Sequence, residues 1–472
     1  MRKQILTLLT LAFTMLAGAQ HPAVNTLTST TNLKHANISL MVRDITNNTV
    51  VAEYRPDALT PPASVMKTIT TATALEIFGP NYLYKTRIET DGEINASGVL
   101  NGNIYIVGCG DPTMGSKFLG NGAFLRLWCD KIAEKGIKKI NGRVIADISR
   151  FDIENINPFW LWEDIGNYYA PGVFAIAYCD NSMAIHLRTQ GNGKPVIIES
   201  IAPEIDSLSF VNNITCNASL PTTNIYVRGL PLVNTRVLTG NASDLKETFS
   251  VSGDLPNPAL LLASDFTKAL RERNIGITGK PTYTQTADTA KHQLLFIHAS
   301  PSLAEIAKLT NFKSNNMYAE HIFRLIGSRG VDISTQANAA GTIINYWKGK
   351  VPSMQWNNIC DGSGLSPVDR VSAASIVDML VYMTNSNKYE AFFNSLPLAG
   401  KDGTVRNFLS QTPLTKRVRC KSGTTSRIKS YAGYADGPSG HKYAFAVIIA
   451  DPDCKTNAVT KYIEQLLVST CK

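Results

Sequence analysis

Strand-forming patterns at both ends of this chain frame a middle of different character. Residues 38–45 (ISLMVRDI) and 50–55 (VVAEYR) flank the turn Thr46-Asn47-Asn48-Thr49, a hairpin pattern. The far end carries three further strand-like runs, 416–424, 429–436 and 442–450, the last two joined by the turn Gly437-Pro438-Ser439-Gly440. A helical pattern over about 456–469 follows them. Helical periods accompany both ends: 64–78, between Pro61-Pro62 and Gly79-Pro80, and then 302–309, 316–327, 335–348 and 371–385. From about 88 to 250 the pattern is mostly short strands, at 103–107, 143–147, 182–187, 196–200 and 224–228, with one helix near 123–135. The helical period returns at 258–273. The two ends therefore read as one α/β domain, and the β-rich middle as an insertion into it.

A hydrophobic fraction of 44% and a charged fraction of 18% over 472 residues exclude a disordered chain. Residues 1–19 read as a secretory signal: Arg2 and Lys3, an apolar run over 5–16, then Ala17-Gly18-Ala19 as the cleavage site. No later apolar run is long enough to span a bilayer, so cleavage near Ala19 leaves an exported, periplasmic chain without a transmembrane anchor. The net charge of +9 is spread along the chain with no nucleic-acid motif, which favours a scattered, solvated surface, with anionic wall polymers or a membrane surface as the alternative. The eight cysteines form no C-x-x-C pair and no zinc-finger spacing, so no metal site is expected. Export permits disulfides; Cys454 and Cys471 flank the last helix and are the candidate pair, the others reading as free buried thiols.

Three short motifs carry chemistry. Ser64-Val65-Met66-Lys67 places a hydroxyl and an amine on one face of a helix start. A desolvated lysine can act as the base that activates a serine nucleophile, and the helix N-terminus favours a developing oxyanion. Further S-x-x-K matches at Ser426 and Ser439 lie in strand patterns, where the two side chains face opposite ways, and the one at Ser243 opens no apolar helix. Ser314-Asn315-Asn316 offers a hydroxyl for proton relay and an amide for a substrate peptide group; the bland reading is a helix cap. Lys421-Ser422-Gly423-Thr424 combines a positive charge, hydroxyls for a carboxylate, and a glycine that lets a substrate backbone approach the strand. The bland reading is a strand-edge lysine before a turn. In this order and these contexts, the three match the active-site set of penicillin-binding proteins and serine β-lactamases.

The separation of 247 positions from Lys67 to Ser314 narrows the match. The chain resembles the D-alanyl-D-alanine carboxypeptidase/endopeptidase family, the class C low-molecular-mass penicillin-binding proteins (type 4) of the penicilloyl serine transferase superfamily. Gly108-Cys109-Gly110-Asp111-Pro112-Thr113, Asp147-Ile148-Ser149-Arg150-Phe151-Asp152, Trp162-Glu163-Asp164 with Tyr169-Ala170-Pro171, and Asp361-Gly362-Ser363-Gly364-Leu365-Ser366 extend the resemblance over nearly the whole chain. It implies a β-lactamase/transpeptidase-like catalytic domain, an antiparallel sheet with flanking helices, over 20–88 and 288–472. It also implies an inserted domain over 89–164 and 252–287 and a nested β-rich domain over 165–251.

By the same resemblance Ser64 attacks the penultimate D-Ala carbonyl of a peptidoglycan stem peptide, Lys67 is the base, and Ser314 relays the proton with help from Lys421. Asn316 holds the substrate amide, the N–H groups of Ser64 and Thr424 form the oxyanion hole, and Ser422 and Thr424 anchor the carboxylate. β-Lactams would acylate the same serine, and no cofactor is implied. Lys421 is followed by Ser where Thr is usual, Cys109 replaces a Gly, and Pro367 stands where the family commonly has Arg. Asp164 is a candidate for the amino end of a diaminopimelate side chain and Arg370 for its carboxylate; a surface ion pair is the alternative for both. A serine β-lactamase shares the acylation chemistry, but no E-x-x-L-N segment is present. A catalytically silent peptidoglycan-binding protein would not need the intact Ser64, Lys67, Ser314, Asn316 and Lys421 set.

Overall fold

The computed structural model describes residues 20–120, 122–288 and 291–472, so the expected secretory signal lies outside the described residues. Two-residue alternation sets up the central layer. Ile38, Leu40, Val42, Tyr431, Phe445, Val447 and Ile449 share one core, whereas Met41, Ala432, Tyr434, Ala444, Ala446 and Ile448 share another. A sheet apolar on both faces must be covered on both. Its five strands run in the order Val418–Thr424, Ile428–Asp436, Lys442–Ala450, Asn37–Asp44, Thr49–Tyr54, every pair antiparallel. Asn37 stands opposite Ala450 and Asp44 opposite Tyr443, so the two ends of the chain close one sheet. Helices Pro22–Thr28 and Thr456–Thr470 cover one face. Helices Met66–Phe78, Leu303–Lys313, Asn316–Gly327, Gln336–Trp347, Ala373–Thr384 and Tyr389–Ser395 build the layer on the other.

Met66–Phe78 is the central helix of that layer, and residues 66–75 are buried all round. Its threonines are accommodated because their hydroxyls bond within the helix: Thr71 to the Lys67 carbonyl at 2.7 Å and Thr73 to the Ile69 carbonyl at 2.6 Å. They also accept from outside, Thr73 from the Trp347 indole at 2.7 Å and Thr71 from the Asn311 amide at 3.2 Å. A polar but fully bonded helix can thus sit where an ordinary surface helix cannot.

The middle of the chain builds its own sheets. Thr282–Thr284, Val144–Asp147, Ile104–Val107, Lys85–Thr90 and Gln293–Ala299 form one five-stranded sheet, packed against helices Phe124–Glu134 and Pro258–Glu272. Lys85–Thr90 and Gln293–Ala299 pair with each other, so the chain enters and leaves the middle block on neighbouring strands. Two three-stranded sheets lie beyond, one around Ser182–Arg188 and one around Thr235–Ala242, and share the same core.

One expectation is corrected here. All eight cysteines are free, Cys454 and Cys471 included. These two flank the 15-residue helix Thr456–Thr470. At ~1.5 Å of rise per residue such a helix separates its ends by roughly 22 Å, about three times the reach of a disulfide.

Candidate active site

Ser64 does not open the α-helix directly. It lies in a 3₁₀ turn, Ala63–Val65, that feeds Met66–Phe78. Ala63 takes φ +49°, a left-handed conformation that costs a residue with a Cβ. Its neighbours hold it there. A Cβ added to Gly364, itself at φ +75°, would lie 1.9 Å from the Ala63 carbonyl oxygen, so the loop 361–366 is pressed onto the turn that carries Ser64. Ser430, fully buried, donates to the Pro62 carbonyl at 2.7 Å.

Lys67, one helical turn on, is fully buried. Its amine contacts the Ser64 hydroxyl at 2.9 Å, the Asn316 Oδ1 at 2.7 Å and the Ser363 carbonyl at 2.7 Å. The last two partners can only accept. An uncharged amine satisfies both with its two protons and has its lone pair left for the Ser64 O–H. Burial pulls Lys67 down to about 8, against the upward pull of Asp361, Glu320 and Asp369. The base form is therefore within reach near neutral pH.

Ser314 is the left-handed C-cap of Leu303–Lys313, at φ +52°. The capping role in this triplet falls to Asn315, whose side chain accepts from the Tyr318 N–H at 3.1 Å. Asn316 turns its Nδ2 to the Tyr169 carbonyl at 2.8 Å, which points its Oδ1 at Lys67. Lys421 is fully buried, and its amine donates to the Ser422 carbonyl at 2.5 Å. Burial, then the nearby Lys67, holds Lys421 well below the ordinary lysine range.

Ser64, Ser314, Asn316, Thr424, Asp164 and Arg370 line one cleft of about 700 Å³. A larger cavity of about 1280 Å³, lined by Tyr82, Asp147, Arg150 and others, contains none of them. Ser422 and Gly423 do not line the cleft. The Ser422 hydroxyl bonds Thr404 at 2.8 Å. A Cβ on Gly423 would come within 2.2 Å of the Ser430 hydroxyl and 2.9 Å of the Ser64 nitrogen. This glycine lets the strand pack against the turn that carries Ser64. Thr424 is exposed, and its hydroxyl receives a hydrogen bond from Lys429 at 3.0 Å. The Asp164 carboxylate accepts from the Tyr169 hydroxyl at 2.9 Å, and burial raises its pKa. Arg370 spends one guanidinium nitrogen on the carbonyls of Pro367 and Asp369, at 2.7 and 2.8 Å.

Several groups at the site escaped the sequence reading. Ser363 lies inside the D-G-S-G-L-S match, but its use of a carbonyl leaves no trace in side-chain identity. Arg427, paired with Asp451 at 2.6 Å, lines the same cleft. Glu320 is buried behind Lys67, and its spacing of four from Asn316 on one helix is the signal that could have found it.

The family model described as D-Ala-D-Ala carboxypeptidase 3 (S13) matches residues 20–470. A D-alanyl-D-alanine carboxypeptidase from Actinomadura sp. is 26% identical over 405 residues, 82% of this chain and 72% of that protein. The crystal structure of penicillin-binding protein 4 from Haemophilus influenzae superposes with a TM-score of 0.80 at 23% identity, covering 94% of this chain and 97% of that one. The same protein in complex with a β-lactam gives a TM-score of 0.78 at 23% identity, with the same coverage of both chains.

Proposed function

The chain belongs to the D-Ala-D-Ala carboxypeptidase 3 (S13) family, and from that premise we propose that Ser64 is the acylated nucleophile of this serine DD-peptidase. The observation that carries this reading is the position of the Lys67 amine, held by two pure acceptors with its remaining valence on Ser64. As the Ser64 oxygen bonds the carbonyl carbon of the penultimate D-Ala, its proton passes to Lys67 and the carbonyl electron pair moves to oxygen. The N–H groups of Ser64 and Thr424 receive that oxyanion, typically worth about 3 kcal/mol per donor. Ser314 delivers a proton to the departing amine, with the buried Lys421 amine as the polarising group. Thr424 takes the terminal carboxylate from the exposed side of the strand, with Lys429 adding a donor behind it. Water then releases the acyl group.

Substrates of this reading are peptidoglycan stem peptides, cut at D-Ala-D-Ala or at D-Ala-diaminopimelate cross-links. The cleft supports a side-chain role for Asp164 more than for Arg370, whose guanidinium braces its own loop. Export to the periplasm rests on the pattern of residues 1–19, and no helix among the described residues is long and apolar enough to cross a membrane. The division into a split catalytic domain carrying two accessory domains is part of the same proposal.

Intact-mass analysis with a labelled penicillin tests the nucleophile. A stable adduct is expected, and its loss in Ser64→Ala. No adduct on the unmodified protein would end the proposal, and fast turnover of the adduct would move it to β-lactam hydrolysis. Release of D-Ala from a pentapeptide, set against cleavage of cross-linked dimers, separates the two peptidase activities.

A further inference from the structure

The mechanism above leaves unused a set of buried carboxyl groups directly behind Lys67. Glu320, Asp361 and Asp369 are all buried, on the helix Asn316–Gly327 and on the loop that follows Cys360. Asp361 is fully bonded. It accepts from the N–H groups of Ser363, Gly364 and Ser366 at 3.1, 2.6 and 2.7 Å and from the Trp160 indole at 2.9 Å. That carboxylate folds the loop.

Glu320 is placed differently. It accepts from the Gly362 N–H, at 3.1 and 3.3 Å to its two oxygens. Thr70 of the central helix donates to the carbonyl of the same Gly362 at 2.7 Å. The next residue, Ser363, offers the carbonyl on which the Lys67 amine rests at 2.7 Å. One dipeptide is therefore clamped between the nucleophile helix and Glu320.

We propose that Glu320 is a positioning residue for acyl transfer: it fixes the Gly362–Ser363 peptide under the Lys67 amine and supplies the negative charge against which that amine takes up the Ser64 proton. The inference rests on the reading of Ser64 and Lys67 given above. A buried ammonium formed without a neighbouring anion carries a desolvation cost of several kcal/mol, so a carboxylate held one peptide away lowers the cost of the proton transfer. The converse also holds. Asp361 and Asp369 crowd the same region, and burial together with Asp361 holds the Glu320 carboxyl well above the usual range, so its negative charge is present on the alkaline side, where Lys67 is uncharged and can take the proton. Glu320 and Lys67 thus titrate as a linked pair. The charged groups that act on Lys67 are Glu320, Asp361 and Asp369, which favour its charged form, and Lys421, which is itself acted on by Lys429.

The test is the pH dependence of the second-order rate of acylation by a labelled penicillin. Glu320→Gln keeps an acceptor for the Gly362 N–H but removes the charge. Its acid limb is expected to move to lower pH by roughly one unit, the scale of coupling between buried sites, because the ammonium has lost its anion. Thr70→Val cuts the other bond to Gly362 without touching charge; it should slow acylation and leave the limb in place. A limb that stays put in Glu320→Gln, or moves to higher pH, overturns the proposal. A second measurement does not depend on that variant folding. The Glu320 carboxyl carbon, followed by NMR, should titrate at higher pH in Lys67→Met than in the unmodified protein, and an unchanged titration overturns the coupling. Adducts with no limb shift refute this inference alone, whereas no adduct on the unmodified protein refutes the reading beneath it.

Discussion

Replacing Gly423 with alanine tests how the K-S-G strand meets the nucleophile. The added Cβ would lie 2.2 Å from the Ser430 hydroxyl, 2.9 Å from the Pro62 carbonyl oxygen and 2.9 Å from the Ser64 nitrogen. Real Cβ contacts do not go below about 3 Å, so something must move. Two responses are open. The Ser430 hydroxyl can swing away, abandoning its 2.7 Å bond to Pro62 and leaving a buried carbonyl unpaired, at about 1–3 kcal/mol. Otherwise the strand lifts off the turn 62–64, at about 1–3 kcal/mol of overpacking. Either response displaces Ser64 against the base and the oxyanion donors, and a misplacement of ~1 Å costs on the order of 100-fold in rate. Gly423→Ala should therefore acylate about 100-fold more slowly with a fluorescent penicillin and melt several degrees lower. Ser430→Ala removes the closest of the three contacts. The double variant should thus acylate faster than Gly423→Ala alone, a non-additivity reserved for groups in contact. Unchanged acylation in the single variant, or a double variant no faster than the single, would refute the packing argument.

The remaining predictions concern protons, a buried ion pair and thiols. Lys67 acts as a base only when uncharged, and burial sets its pKa at about 8, so acylation by a penicillin should rise with pH through that value. A profile flat from about pH 6 to 9 would contradict this. Arg236 and Asp254 form a fully buried pair at 2.7 Å in the inserted block. Arg236→Met strands the carboxylate and should cost about 3–5 kcal/mol, seen as a lower melting temperature, while the folded protein still takes up one penicillin per chain. Thiol titration of the denatured protein without reductant should count eight free cysteines, and adding reductant should leave the melting temperature unchanged.

The parts legible in the sequence are those whose cause is local. The alternation of Ile38, Leu40 and Val42 with Ser39 and Met41 identifies a strand without knowledge of its partners, and the spacing of three between Ser64 and Lys67 places hydroxyl and amine together. What was not legible depends on contacts across the chain. Gly423 reads as an opening for substrate until Ser430 and the Ser64 nitrogen are seen filling the space beside it. Ser422 reads as a carboxylate anchor, yet its hydroxyl is bonded to Thr404. Cys454 and Cys471 are a different case: the helix read between them already sets their separation, and the rise per residue excludes the pair. Glu320 reaches Lys67 through its charge and through the backbone of Gly362 and Ser363, about 40 residues away, and its spacing of four from Asn316 marks only that the two share a helix face.

In the proposed mechanism the inserted block reaches the Lys67 amine through one backbone atom. Asn316 can present either its oxygen or its nitrogen to Lys67, and the two ends of an amide are nearly equal in shape. Toward an amine that must donate, the nitrogen end would be repulsive and would leave a buried donor without a partner. Tyr169, within the insertion, decides the matter: its carbonyl accepts from Nδ2 at 2.8 Å, which commits Oδ1 to Lys67 at 2.7 Å. The same residue's hydroxyl holds Asp164 at the cleft wall. Tyr169 therefore joins two tasks in one segment, orienting Asn316 toward Lys67 through its backbone and holding the cleft wall through its side chain. Displacement of the segment around Tyr169 would disturb proton transfer and cleft geometry together. A long insertion between Lys67 and Ser314 carries little entropic cost, because loop closure grows only slowly with length. Its retention of a contact to Asn316 makes it a structural part of the site rather than a passenger beside it.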